Sequence, residues 1–152
     1  MASVTDRLAE LGVELPAVVP PVAAYVPAVR TGNLVYTSGQ LPAVAGALPA
    51  TGKVGAEVDP DDAKGYARTC ALNALAAIDA LVGIDNVTKV VKVVGFVASD
   101  PAFTGHPGVI NGASEFLLEV FGAAGKHARS AVGVAALPLD APVEVELIVE
   151  VA

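Results

Sequence analysis

An α+β domain, with two helices laid on one face of a mixed β-sheet, is the fold class that the sequence predicts. Three observations carry it. Two segments, opening at Asp59 and Pro107, repeat apolar residues at steps of three and four, the period of a helix that buries one face. Two others, Val90–Val97 and Val143–Val151, are built largely of valine, and the second alternates in the way a strand does. Read along the chain, the elements fall in the order β-β-α-β-α-β-β, a segregated pattern with too few helices to cover both sheet faces.

At the start, Thr5 or Asp6 is expected to cap a short helix running through Leu11, with Gly12 ending it. The Pro-rich stretch from Pro16 to Pro21 reads as an extended lead-in, so residues 1–21 form a helix and an arm on a single domain spanning 1–152. Val22 to Val29 and Leu34 to Ser38 are strand candidates, and Arg30-Thr31-Gly32-Asn33 between them carries hairpin chemistry. Leu41 to Val58, rich in Gly, Pro and Ala, reads as a surface loop.

The clearest element follows. Asp59 is a good N-cap, Pro60 suits the first helical position, and Asp61 and Asp62 complement the positive end of the helix dipole. Ala67, Ala71, Ala74, Ile78 and Leu81 make one apolar face, and Gly83 ends the helix. A face made mostly of Ala can lie close on a sheet. Val90 to Val97 is apolar on both faces apart from Lys92, as an internal strand is. Pro107 opens the second helix, whose face is Val109, Ala113, Phe116, Leu117 and Val120, with Gly122 and Gly125 closing it. Ser130 to Val134 is the next strand. In the last, Val143, Val145, Leu147, Val149 and Val151 share one face, while Glu144, Glu146, Ile148 and Glu150 share the other.

Composition narrows the function. The 152 residues are 54% hydrophobic and 16% charged, with no Trp and a single Cys. One Cys excludes an internal disulfide framework and a Cys-rich zinc site, and Cys70, beside the apolar helix face, reads as a buried structural thiol. His106 and His127 stand far apart and outside any metal-ligand spacing, so no metal is expected. Nine basic against sixteen acidic residues leave a net charge of −7, and no run of Lys or Arg offers a nucleic acid a local basic path, so no nucleic acid is expected as partner. The mean hydropathy of +0.62 raises the question of a membrane. The longest apolar run, Leu15 to Val29, is broken by Pro16, Pro20, Pro21 and Pro27, whereas a spanning helix needs about 20 residues without such breaks. The first residues carry no basic stretch leading into an apolar one, so no signal peptide is expected. The chain is therefore expected in the cytoplasm, off the membrane, with its surplus apolar surface in a subunit interface.

Chemistry concentrates in Lys126-His127-Ala128-Arg129-Ser130-Ala131-Val132. Arg129 stands where an apolar strand begins, followed by small residues. An Arg there either pairs with a structural carboxylate or offers its planar fork to the carboxylate of a ligand. Ser130 and Ala131 leave room and backbone N–H groups beside it. His127 lies two residues before Arg129 and would point the same way on a strand; it is read as an exposed side chain rather than a catalytic one.

Gly32-Asn33-Leu34-Val35-Tyr36-Thr37-Ser38-Gly39-Gln40-Leu41-Pro42 resembles the Gly-Asn-x-x-x-x-Ser-Gly-Gln-x-Pro signature of the reactive intermediate deaminase family, RidA or YjgF. Ala128-Arg129-Ser130-Ala131-Val132, then Leu137-Pro138, then Val143-Glu144-Val145-Glu146, resembles that family's C-terminal signature. The resemblance covers roughly Tyr25 to the C-terminus. It implies a fold like chorismate mutase of the Bacillus type and a trimeric barrel, a homotrimer with ligand sites in the clefts between subunits. It also implies hydrolysis of reactive enamines and imines, such as 2-aminoacrylate, to 2-keto acids and ammonia, without metal or organic cofactor. The partner is then a small 2-imino or 2-keto carboxylate.

On the same resemblance, Arg129 binds the substrate carboxylate and Glu144 holds the attacking water. Tyr25, Ser38 and Gly39, Asn111 and the backbone of Ala131 line the substrate. Labels such as L-PSP endoribonuclease attach to the family too. The N-terminal helix, the long Leu41 to Val58 loop, and Lys126-His127 in place of the usual Phe-Pro mark a longer subfamily. Two alternatives to the deaminase stand beside it. One is a non-enzymatic trimer that binds small carboxylates, and the less favoured one is an endoribonuclease. If the last two strands form a simple hairpin, Arg129 sits beside Glu150, and Arg129 must then meet Glu144 of a neighbouring subunit.

Overall fold

The computed structural model describes residues 2–18, 21 and 23–152. In chain order the elements are α1 (Val4–Glu10), β1 (Ala28–Thr31), β2 (Leu34–Thr37), α2 (Pro60–Val82), β3 (Val87–Ala98), α3 (His106–Phe121), β4 (Ala128–Val134) and β5 (Val143–Val151). The strands form one mixed sheet in the order β1-β2-β5-β3-β4. Only the β3–β4 pair is parallel. Beneath the added α1, this is the expected β-β-α-β-α-β-β order.

Local chemistry explains the helix ends. The cap of α1 is Ser3, not Thr5 or Asp6. Ser3 Oγ accepts from the Asp6 N–H at 3.0 Å, and the Asp6 carboxylate accepts from the Ser3 N–H at 3.3 Å, a reciprocal capping box that fixes an earlier start. Helix α2 starts as expected, with the Asp59 carboxylate accepting from the Asp61 N–H at 2.8 Å and Pro60 in the first turn. The strand expected over Val22 to Val29 is shorter. Val22 lies outside the described residues, and pairing begins only after Pro27, which has no N–H to give to a ladder. Arg30 and Thr31 belong to β1, and the turn contracts to Gly32-Asn33, with Gly32 at φ +57, as glycine allows at the first position of a tight hairpin turn. The 41–58 segment has no helix or ladder, yet it is not all surface. Val54 is fully buried, its N–H donating to Ala98 O and its carbonyl accepting from the Asp100 N–H.

The core lies between the two long helices and one sheet face. Val143, Val145, Leu147, Val149 and Val151 are all buried there, against Ala63, Ala67, Ala71 and Ala74 of α2. Cys70 is buried in the same layer, and burial pushes its thiol pKa well up. The helices touch closely. A Cβ on Gly112 of α3 would fall 1.9 Å from the Lys64 carbonyl oxygen of α2. Gly112→Ala must therefore part the helices, and we expect a loss of about 3 kcal/mol of stability, read as a lowered urea midpoint with unchanged m-value.

The opposite sheet face carries no helix among the described residues. It presents Val29, Tyr36 and Val132, each at least 39% exposed, with half-buried Val94, Phe96 and Ile148 between them. Glu144, Glu146 and Lys92 stand on this same face by register. No helix in the described residues is long and apolar enough to cross a membrane.

Candidate active site

Arg129 lies inside the edge strand β4, one residue past its start, because pairing with β3 begins at Ala128. Its register partners are Val93 of β3 and, one strand further, Leu147 of β5. Both are buried on the helix side, so Arg129 points toward α3. There Nη1 donates to Asn111 Oδ1 at 2.7 Å and to Ser114 Oγ at 3.3 Å, and Nη2 donates to Pro107 O at 3.4 Å. All three acceptors are neutral. The described salt bridges join Arg7 with Glu10, Lys53 with Asp140, and Lys64 with Glu115; among the described residues Arg129 pairs with no carboxylate. A guanidinium has five N–H donors, so Nε–H and one Nη2–H meet no acceptor among the described residues. Neutral acceptors position this cation without neutralising it.

The seam between α3 and β4 holds more than was expected. His127 is half-buried, not an exposed bystander. Its Nε2 lies 2.8 Å from Ser114 Oγ and its Nδ1 2.6 Å from Gly125 O. Ser114 escaped the sequence reading altogether. The available signal was a hydroxyl three residues after Asn111, beside the apolar Ala113, Phe116 and Leu117. Ala131, two residues after Arg129, shares its face and pairs with Gly95. It sits on an edge strand, whose outer backbone groups are free to bind.

The other site residues gather elsewhere. Glu144 pairs with Phe96, on the sheet face away from the helices. A Cβ on Gly39 would come within 2.8 Å of Glu144 Cδ, so a side chain there would displace the carboxylate from its place against this backbone. Gln40 and Val145 exchange backbone hydrogen bonds and fix that contact. Burial, then the neighbouring Glu146 charge, raises the Glu144 pKa above its ordinary value. Ser38 Oγ donates to Val26 O at 2.6 Å, and its N–H donates to Pro27 O, which ties down the irregular segment bearing Tyr25. Tyr25 is 56% exposed and lies outside any strand. It lines, with Gly39, Gln40 and Asn73, an open cavity of about 580 Å³.

One chain thus brings Asn111, Arg129 and Ala131 to the α3–β4 seam and sets Gly39 against Glu144 on the far face of the sheet, while Ser38 ties down the segment whose Tyr25 lines a cavity bordered by Asn73 and Ala76 of α2. The hairpin register is corrected. Strand β3 lies between β4 and β5, and Arg129 is level with Leu147, not Glu150. Three residues along and two strands across put the Arg129 and Glu144 Cα atoms roughly 14 Å apart. Their side chains leave opposite faces, so proximity in the sheet does not let them converge.

Comparison with known proteins gives a consistent result. The family described as "YjgF/chorismate_mutase-like, putative endoribonuclease" matches residues 5–151. Protein TCP17 of Trypanosoma cruzi is 44% identical over 151 residues, covering 97% of this chain and 93% of its own. The crystal structure of Atu1372 from Agrobacterium tumefaciens is 46% identical, covers 98% of this chain and 92% of its own, and superposes with a TM-score of 0.90. The E. coli TdcF structure with bound serine is 27% identical, covers 89% and 94%, and superposes at 0.65.

Proposed function

The chain belongs to the YjgF/chorismate mutase-like family, and from that premise we propose that it hydrolyses reactive 2-imino acids, of the 2-aminoacrylate type, to 2-keto acids and ammonia. The observation that carries the reading is Arg129, a half-buried guanidinium held by three neutral acceptors. Such a group has its charge available for an anion, and its planar fork suits a carboxylate. Serine bound to TdcF, a relative, is a small amino acid of similar shape.

In this proposal the site is completed between subunits of a cytoplasmic homotrimer, with the bare sheet face turned inward. Arg129 anchors the substrate carboxylate, with Asn111 holding the guanidinium. The backbones of Gly39 and Ala131 border the substrate, and Tyr25 closes over it. Water on the Glu144 carboxylate attacks C2 of the imine while Glu144 takes its proton. The enamine first tautomerises to this imine by taking a proton at C3; after attack Glu144 passes its proton to nitrogen, then takes the hydroxyl proton as the carbinolamine collapses, so the C–N bond breaks, the C=O bond forms, and ammonia and a 2-keto acid leave. A protonated imine is already electrophilic, so positioning and one modest base are enough. RNA cleavage fits less well, because a net charge of −7 repels a phosphate backbone. The deciding assay generates 2-aminoacrylate in situ and follows keto-acid release. Acceleration by the protein is expected; spontaneous hydrolysis only would refute the reading.

The acidity of Glu144 gives a further expected outcome. The working form is ionised, and its pKa is raised by burial and then by Glu146. Turnover should therefore fall as pH drops through a midpoint raised above the ordinary value for a glutamate. Glu146→Gln removes the like charge and should move that midpoint to lower pH. A pH–rate profile unaffected by Glu146→Gln would contradict the assignment.

A further inference from the structure

We propose that His127 is a positioning residue that sets the Arg129 fork through Ser114, a role that rests on the reading of Arg129 as the carboxylate anchor. The directions of the hydrogen bonds determine it. Gly125 O can only accept, so when the ring holds a single proton that proton is on Nδ1, 2.6 Å away. Nε2 is then the acceptor, and Ser114 Oγ, at 2.8 Å, must donate to it. A hydroxyl has one proton. With that proton committed to His127, Ser114 turns a lone pair to Arg129 Nη1 at 3.3 Å. The relay runs Arg129 to Ser114 to His127 to Gly125, with each donor facing an acceptor.

Both ends of the relay are fixed. A Cβ on Gly125 would fall 2.5 Å from Leu117 O, so the turn that holds the ring is pressed against the end of α3. At the other end Asn111, one turn before Ser114 on α3, takes the same Nη1 at 2.7 Å. Two acceptors on one helix face hold Nη1, while Nε–H and an Nη2–H remain for the ligand. Without the imidazole, the Ser114 hydroxyl rotates freely and can present its proton to the guanidinium, which opposes the fixed orientation.

The test compares variants along the relay with the intact wild type. His127→Phe keeps a ring but loses both nitrogens. His127→Gln can still place an acceptor near Ser114, and Ser114→Ala removes the middle of the relay. Guanidinium ¹⁵N–¹H spectra of Arg129 should show faster exchange in His127→Phe and Ser114→Ala, with recovery in His127→Gln. Affinity for a 2-keto acid such as pyruvate, by calorimetry, should fall about ten-fold in the first two, the scale of one lost orienting hydrogen bond. Their double variant should lose no more than either alone. Wild-type imidazole ¹⁵N shifts, which need no variant, should report the proton on Nδ1. An Arg129 spectrum unmoved by His127→Phe, a proton on Nε2, or fully additive losses would overturn the proposal. If Arg129→Ala instead leaves pyruvate affinity intact, the anchor reading fails, and the spectra still decide the relay.

Discussion

Arg129→Lys is expected to lose roughly 30- to 1000-fold in kcat/KM for imine hydrolysis, although it keeps the positive charge. The reason is geometric. Arg129 spends three donors on Asn111, Ser114 and Pro107 and keeps others for a ligand; an ammonium has three donors in all and no plane. Lysine would satisfy either the helix or the carboxylate. Losing a charge-assisted bidentate contact costs about 2–4 kcal/mol, which is that range of rates. Steady-state keto-acid release measures it, alongside a thermal melt that should change little for a half-buried side chain at a sheet edge. Retained activity would make Arg129 structural, or show that charge alone is enough.

Glu144→Gln is expected to leave 2-keto acid affinity near wild type while lowering kcat about 100-fold, the lower range for removing a general base. The substitution keeps the shape against Gly39, where space is short, and removes only the basicity. It also separates the hydrolase from a carboxylate-binding module, because a water-holding base matters only when water attacks. Unchanged kcat would exclude the mechanism proposed here. Loss of affinity without loss of kcat would move Glu144 from the base to the binding surface.

Much of this fold could be read before the structure because its determinants are local. Asp59-Pro60 and Gly83 bracket α2 with cap chemistry, and the alternation from Val143 to Val151 marks β5 to the residue. Where two local signals competed, the reading slipped. Ser3, Thr5 and Asp6 can all cap a helix, and only the reciprocal Ser3–Asp6 contact decides among them. The apolar residues of 22–29 look strand-like, but Pro27 delays pairing to Ala28. The largest error was non-local. A short connection between β4 and β5 suggested a hairpin, yet β3 lies between them, and no pattern within 128–151 reports a third strand. The site divides in the same way. Arg129 was visible because an Arg at an apolar strand is unusual. The contacts of Ser114 and His127 depend on how α3 lies over β4, which the linear spacing of the chain does not encode.

The site proposed here is shared, with Arg129 and Glu144 leaving opposite faces of one sheet and meeting only across a subunit boundary. Mixed trimers test it most directly. Arg129→Ala and Glu144→Ala, each inactive alone, are unfolded together in equal amounts, refolded, and separated by tags to confirm mixed assemblies. A site is whole when the Arg-giving subunit is the Glu144→Ala chain and the Glu-giving subunit is the Arg129→Ala chain, which random mixing provides in roughly one site of four. Recovery of about a quarter of wild-type keto-acid release in the unfractionated mixture, or about a third in the purified mixed trimers, is the predicted result. Mixed trimers that form and stay inactive would contradict the shared site.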